Sequence, residues 1–199
     1  MDDKELIFMH SPFKRLMQKY IEFRIFKTLL ASLNLDLTKK VILEVGCGSG
    51  YGLELISQAF NPAELYAFDI LPAEVALAKQ RQLPVNLFIG NALDMELPSQ
   101  KFDAVFIFTV LHHVIGWKQV LKEVNRVLKQ NGVLLINELN RKVLNRIERY
   151  LKTFHPQKSR FSWDEFRLGI ASAGFKLLKE RFILNDFGFF LGLKERSIK

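Results

Sequence analysis

The sequence predicts an α/β protein with a doubly wound, mostly parallel seven-stranded sheet, helices on both faces and an antiparallel hairpin at the carboxyl end. Three observations carry this expectation. Short β-rich runs alternate with helical patterns, four glycines crowd into residues 46–52 straight after the first run, and the last two strand-like runs are joined by a turn alone. Strands separated by helices run parallel, because each crossover returns the chain to the same end of the sheet.

Residues 12–33 read as an amphipathic helix, with Phe13, Leu16, Met17, Tyr20, Phe23 and Leu30 along one side. The β-rich runs are VILEV (41–45), ELYAF (64–68), VNLFI (85–89), FDAVFIF (102–108) and GVLLIN (132–137). Between them, helical patterns cover 53–59, 73–81 after a helix-starting Pro72, and 117–129, the last ended by Asn131-Gly132. Residues 141–154 read as a basic amphipathic helix. Val143, Leu144, Ile147, Tyr150, Leu151 and Phe154 share one face, and Arg141, Lys142, Arg146, Arg149 and Lys152 the other. The tail runs FKLLKERFIL (175–184) and GFFLGLKE (188–195) form a hairpin through the turn residues Asn185 and Asp186.

A chain of 199 residues is enough for one domain with a sizeable core. It divides by charge: residues 1–40 carry a net +3, 41–138 a net −3 and 139–199 a net +8. The middle reads as a ligand-binding core. The flanks, an N-terminal helical part and a C-terminal part with a basic helix and the hairpin, hold the excess positive charge where a partner would meet it. No run of eighteen apolar residues occurs, the start MDDKELIF lacks a secretory pattern, and Cys47 is the lone cysteine. A soluble, cytoplasmic protein without disulfides or a multi-cysteine metal site is expected.

The glycine loop leaves a strand and enters a helix, where bare backbone N–H groups and the helix dipole favour an electron-rich ligand. The dinucleotide spacing G-x-G-x-x-G fails, since the sixth position is Tyr51 counted from Gly46 and Leu53 counted from Gly48. No Gly-Lys-Ser/Thr follows to make a P-loop. Asp69, about twenty residues downstream at the end of the second run, is placed to accept both hydroxyls of a ribose.

In this order and spacing, VILEVGCGSG, AFDI, GNALDMELP, FDAVFIFTVLHHV and EVNRVLKQNGVLLI resemble the motifs of class I S-adenosylmethionine (SAM)-dependent methyltransferases of the broad small-molecule group. The resemblance implies a Rossmann-like methyltransferase fold with SAM as cofactor and S-adenosylhomocysteine as product, in which residues 1–40 form an N-terminal helical lid, 41–138 the cofactor-binding core, and 139–199 substrate-side helices and the terminal hairpin. Gly46, Gly48 and Gly50 would lie against the methionine part, with Cys47 a small buried filler among them. Glu44 would orient the loop or the cofactor amine, Asp69 would hold the ribose and Ile70 would pack on the adenine. Asn91 and Ala92 would meet the adenine edge, and Phe108 and Thr109 would supply backbone near the methionine end. Position 91 is often Asp in this family; Asn91 can still accept from the adenine amino group.

Methyl transfer asks mainly for alignment, with a base only when the acceptor is protonated. His113 and His112, just after the fourth run, are the candidates for that base. A metal site is not expected, because neighbouring histidines on an extended chain point apart. The acceptor class expected is a small or amphipathic molecule: a metabolite, quinone or lipid precursor. The basic 141–154 segment also suits peripheral contact with an anionic membrane. An RNA or protein methyltransferase ranks below this reading, because TVLHH replaces the Asn/Asp-Pro-Pro-aromatic sequence and no RNA-binding module is evident. A non-catalytic SAM-binding or partner-binding protein is the third alternative.

Overall fold

The computed structural model describes residues 10–151 and 155–195. The strands are β1 (Val41–Val45), β2 (Glu64–Asp69), β3 (Asn86–Ile89), β4 (Phe102–Phe108), β5 (Leu128–Leu139), β6 (Phe175–Ile183) and β7 (Phe187–Lys194). They form one sheet in the order β3-β2-β1-β4-β5-β7-β6. The first five are parallel, and β7 runs antiparallel between β5 and β6. The hairpin thus inserts its second strand against the parallel sheet and leaves its first at the edge. Its turn is centred one residue before the expected pair: Leu184 and Asn185 both take positive φ (51° and 59°), and the Asp186 N–H donates to the Ile183 carbonyl at 3.0 Å. Two central residues with φ > 0 match the right-handed twist of the flanking strands.

The helices are α1 (Pro12–Met17), α2 (Phe23–Ala31), α3 (Tyr51–Phe60), α4 (Pro72–Lys79), α5 (Trp117–Val127), α6 (Arg141–Leu151) and α7 (Trp163–Ser172). Successive side chains of each central strand feed opposite faces of the sheet. Ala104, Phe106 and Phe108 of β4 join Phe26, Leu30, Leu53 and Ile56 on one side, while Val105 and Ile107 join Trp117, Val124, Phe166 and Ile170 on the other. α5 ends two residues before the expected Lys129, because Leu128 is already extended (φ −69°, ψ 141°) and pairs with Phe102. α7 lies beyond the expected helices, yet its start carries a sequence signal: Ser162 accepts from the Glu165 N–H and the Glu165 side chain accepts from the Ser162 N–H.

The N-terminal helix departs from the expected single stripe. Phe23 and Leu30 are buried, but Phe13, Leu16 and Tyr20 are 61%, 55% and 57% exposed. A π turn, Gln18–Glu22, separates α1 from α2. One residue inserted into a helix of 3.6 residues per turn rotates everything before it by roughly 100°, which turns the first half of the stripe outwards. Lys14 and Glu22 take the inward positions and pair at 2.6 Å, both buried.

α6 packs Val143 and Leu144 against Leu139, with Ile147 and Phe187 beside them, whereas Tyr150 is 74% exposed. Its basic face is partly engaged by the domain: Arg141 pairs with Glu165 at 2.8 Å and Arg146 with Asp186 at 3.2 Å. Lys152 and Phe154, the side chain of Leu151 and the opening MDDKELIF lie outside the described residues.

α3 approaches β1 closely enough that a Cβ on Gly52 would sit 2.2 Å from Glu44 Oε1 and 2.9 Å from its carboxyl carbon. Alanine in a helix gains about 1 kcal/mol over glycine, but overpacking a full site costs about 1–3 kcal/mol. Gly52→Ala should therefore destabilise the fold by up to about 2 kcal/mol in denaturant unfolding, and an increase in stability would refute this account of the contact.

Candidate functional site

The carboxyl ends of β1 to β4 open onto a cavity of about 510 Å³, where the sheet order reverses between β1 and β4. Ligands of open α/β sheets bind at such a point, because the loops after the two central strands diverge there.

The glycine loop forms one wall. Gly46 has φ 69°, and a Cβ there would meet Val110 Cγ2 at 2.7 Å, so only glycine lets this loop rest on the turn after β4. The N–H groups of Gly46 and Cys47 both donate to the Phe68 carbonyl, at 3.0 and 3.1 Å. Asp69, at the end of β2, accepts from the Gly48 N–H at 2.9 Å through Oδ2 and from the Leu71 N–H at 3.0 Å through Oδ1. It ties two loops together, and each oxygen keeps a further acceptor site.

Glu44 is 1% exposed, and its Oε2 has no hydrogen-bond partner among the described residues. Burial, reinforced by the charge of Asp69 and opposed by that of Arg81, holds its carboxyl pKa well above the ordinary 4.5. An unmatched buried polar atom is costly; one facing a cavity is matched when a ligand brings a donor. Burial also pushes the Cys47 thiol pKa up, so it is no nucleophile.

Of the residues singled out from the sequence, Glu44, Gly46, Cys47, Gly48, Asp69, Ile70, Asn91, Ala92, Phe108, Thr109 and His113 line this one cavity. Gly50 and His112 do not. A Cβ on Gly50 would meet Ala78 Cβ at 2.9 Å, so the bareness of Gly50 serves the packing of the loop against α4 instead of a ligand. His112 is buried behind the wall, 3% exposed, with Nδ1 2.7 Å from Glu138 Oε2. Thr109 turns the chain out of β4 with φ 56°. The Asn91 Oδ1 accepts from the Leu93 N–H at 3.0 Å, holding its own loop.

The cavity also takes residues the sequence reading passed over. Lys14, Arg15 and Gln18 reach it from α1 and the π turn, and His10 joins them, its Nε2 2.8 Å from Glu74 Oε1. Glu138, fully buried, accepts from the N–H groups of Val110 and Leu111. Burial raises its pKa to about 8, against the pull of its backbone hydrogen bonds. Its signal was legible, since Glu138 interrupts the apolar run GVLLINEL as Glu44 interrupts VILEV.

The expectation that the paired histidines point apart does not hold. Leu111–His113 is a 3₁₀ turn, not extended chain, and the two rings lie 4.0 Å apart. His155, distant in sequence, brings a third ring to 5.4 Å from His112 and 5.0 Å from His113.

Residues 43–136 match the family model of a methyltransferase domain. Over 106 residues the chain is 35% identical to the phthiotriol/phenolphthiotriol dimycocerosates methyltransferase of Mycobacterium leprae, a match covering 52% of this chain and 39% of that one. Over 105 residues it is 32% identical to the fatty-acid O-methyltransferase of Mycolicibacterium smegmatis, covering 52% and 38%. The chain thus spans about two fifths of the length of these curated relatives. A SAM-dependent methyltransferase from Aquifex aeolicus shares the fold with a TM-score of 0.74 at 17% identity, over 98% of this chain and 99% of that one. With the glycine loop, the acid at the end of β2 and the sheet order in agreement, residues 43–136 form a methyltransferase domain similar to those of SAM-dependent methyltransferases.

Proposed function

We propose that this protein transfers a methyl group from SAM to a small or amphipathic acceptor: a metabolite, quinone or lipid precursor. The observation that carries the reading is Glu44, a buried carboxyl with an unmatched oxygen in a cavity that Asp69 and the glycine loop also line. Those groups fit a zwitterionic nucleoside. Glu44 attracts the ammonium of the methionine end, the spare acceptor sites of Asp69 take the ribose hydroxyls, and Ile70, 62% exposed, offers apolar surface to the adenine. Asn91 and Ala92 border that surface, and the backbone of Phe108 and Thr109 borders the methionine end. When bound, SAM supplies a methyl group on a sulfonium whose leaving group is neutral S-adenosylhomocysteine, so the chain needs chiefly to align acceptor and methyl and exclude water.

The acceptor class draws support from two sides. A relative is named a fatty-acid O-methyltransferase. Residues 1–40 act as the lid, and there Phe13, Leu16, Tyr20 and Ile21 expose apolar surface next to Arg15 and Lys19, a pattern suited to an anionic membrane face.

Calorimetry should give heat with SAM and with S-adenosylhomocysteine and none with NAD; silence with both adenosyl ligands would sink the reading. Asp69→Asn should weaken SAM binding at least tenfold, as expected for a lost charge-assisted hydrogen bond of about 1.5–3 kcal/mol, with folding checked by thermal melting.

The pH dependence has a defined sign. Glu44 keeps its proton above the ordinary carboxyl range, and a ligand ammonium favours the ionised form, so binding releases a proton. SAM affinity should rise with pH through the acidic range and level off above the raised pKa of Glu44. Glu44→Gln should flatten that profile; a variant with the wild-type slope would remove Glu44 from the role.

Co-sedimentation with anionic vesicles, weakened by Leu16→Ser and Tyr20→Ser, is expected for an amphipathic acceptor presented at a membrane. Salt-steep RNA binding without vesicle binding would instead overturn the acceptor class.

A further inference from the structure

Among the described residues, three histidines bring potential metal-ligand atoms together. His112 and His113 sit on the 3₁₀ turn after β4, and His155 follows α6 forty-two positions further on. The two segments are clamped by the Ser159 hydroxyl, which donates to the His112 carbonyl at 2.5 Å. One nitrogen from each ring lies within 4.8 Å of the other two. Three imidazole nitrogens bound tetrahedrally to zinc at about 2.0–2.1 Å stand about 3.3 Å apart, a gap that small rotations of the rings close.

A second feature separates this cluster from incidental stacking. Histidines that bind metals donate their other ring N–H to a carboxylate or carbonyl, which fixes the tautomer and aims the free nitrogen. His112 has that partner: its Nδ1 lies 2.7 Å from Glu138 Oε2, and Glu138 is itself fixed by the N–H groups of Val110 and Leu111. The carboxyl group that holds the His112 ring is wholly buried. We infer that His112, His113 and His155 form a binding site for one divalent transition ion of the zinc class, at the edge of the cavity that His113 lines. Three imidazole ligands suit Zn²⁺, Co²⁺ or Ni²⁺ and disfavour Mg²⁺ and Ca²⁺, which select oxygen. A coordinated imidazole has no lone pair for proton abstraction, so this role replaces the general-base role expected for His113.

The test uses the full chain, freed of any affinity tag and stripped with a chelator. Titration with Zn²⁺ should show one tight site and raise the melting temperature, while Mg²⁺ should do neither. His155→Ala and His113→Ala should each weaken Zn²⁺ binding at least tenfold. His10→Ala, which removes the histidine paired with Glu74 outside the cluster, should leave it unchanged. The absence of one-to-one Zn²⁺ binding in the wild type, or affinity undiminished in His155→Ala, overturns the assignment. Should the variants not fold, Co²⁺ in the wild-type protein decides: three paramagnetically shifted imidazole N–H signals support the site, and fewer refute it. SAM binding measured on the same stripped protein tests the methyltransferase reading separately.

Discussion

At the carboxyl ends of parallel strands, backbone N–H groups lose their sheet partners just where loops must be held still for a ligand. In this protein two buried carboxylates meet that constraint in the same way. Asp69, ending β2, holds the Gly48 N–H of the loop after β1. Glu138, near the end of β5, holds the Val110 and Leu111 N–H groups of the turn after β4. β1 and β4 are the central neighbours, and β2 and β5 flank them, so each central loop is pinned by the acid of its outer neighbour. Gly46 lies against Val110 where the two pinned loops meet. Removing either acid would leave buried donors without partners, a cost beyond the loss of one hydrogen bond.

Much of this was legible. Parallel strands buried on both faces read as continuous apolar runs, and FDAVFIF gives β4 without error at either end. The glycine loop and Asp69 announce themselves by spacing. What escaped was set by tertiary context. The π turn at Gln18–Glu22 has no residue signature, so the N-terminal stripe reads as continuous although its halves face different ways. Gly50 looks like its neighbours, and only the position of Ala78 shows that it answers to packing. His155 is an isolated histidine in a polar stretch, and nothing local connects it to residues 112 and 113.

The charge balance needs a similar adjustment. The +8 of residues 139–199 suggests a surface turned towards an anionic partner, yet several of its cations serve the fold. Arg160 is 7% exposed, pairs with Glu148 at 2.7 Å and donates to the His155 carbonyl. Lys194 is 6% exposed and donates to the carbonyls of Asn125 and Leu128. Arg167 bridges Asp164 and Glu180. Such cations stabilise helix ends and strand edges and contribute little to long-range attraction, so net charge along a sequence overstates the field a partner meets.

The segment over the cavity is held differently from the rest. α2 buries Phe26 against Phe106, Phe108 and Phe189, with ring centroids 5.5 to 5.9 Å apart, an anchorage that fixes its position on the sheet. α1, beyond the π turn, turns Phe13 and Leu16 outwards and contributes Lys14, Arg15 and, just before it, His10 to the cavity. Two polar attachments hold it among the described residues: His10 to Glu74 across the cavity, and Lys14 to Glu22 within the segment. The exposed side of α1 adds little apolar burial, whereas lifting α2 would expose several aromatic rings. The π turn therefore marks the boundary between a half anchored by aromatic rings and a half that carries Lys14 and Arg15 to the cavity, and Gln18 of the turn itself lines that cavity.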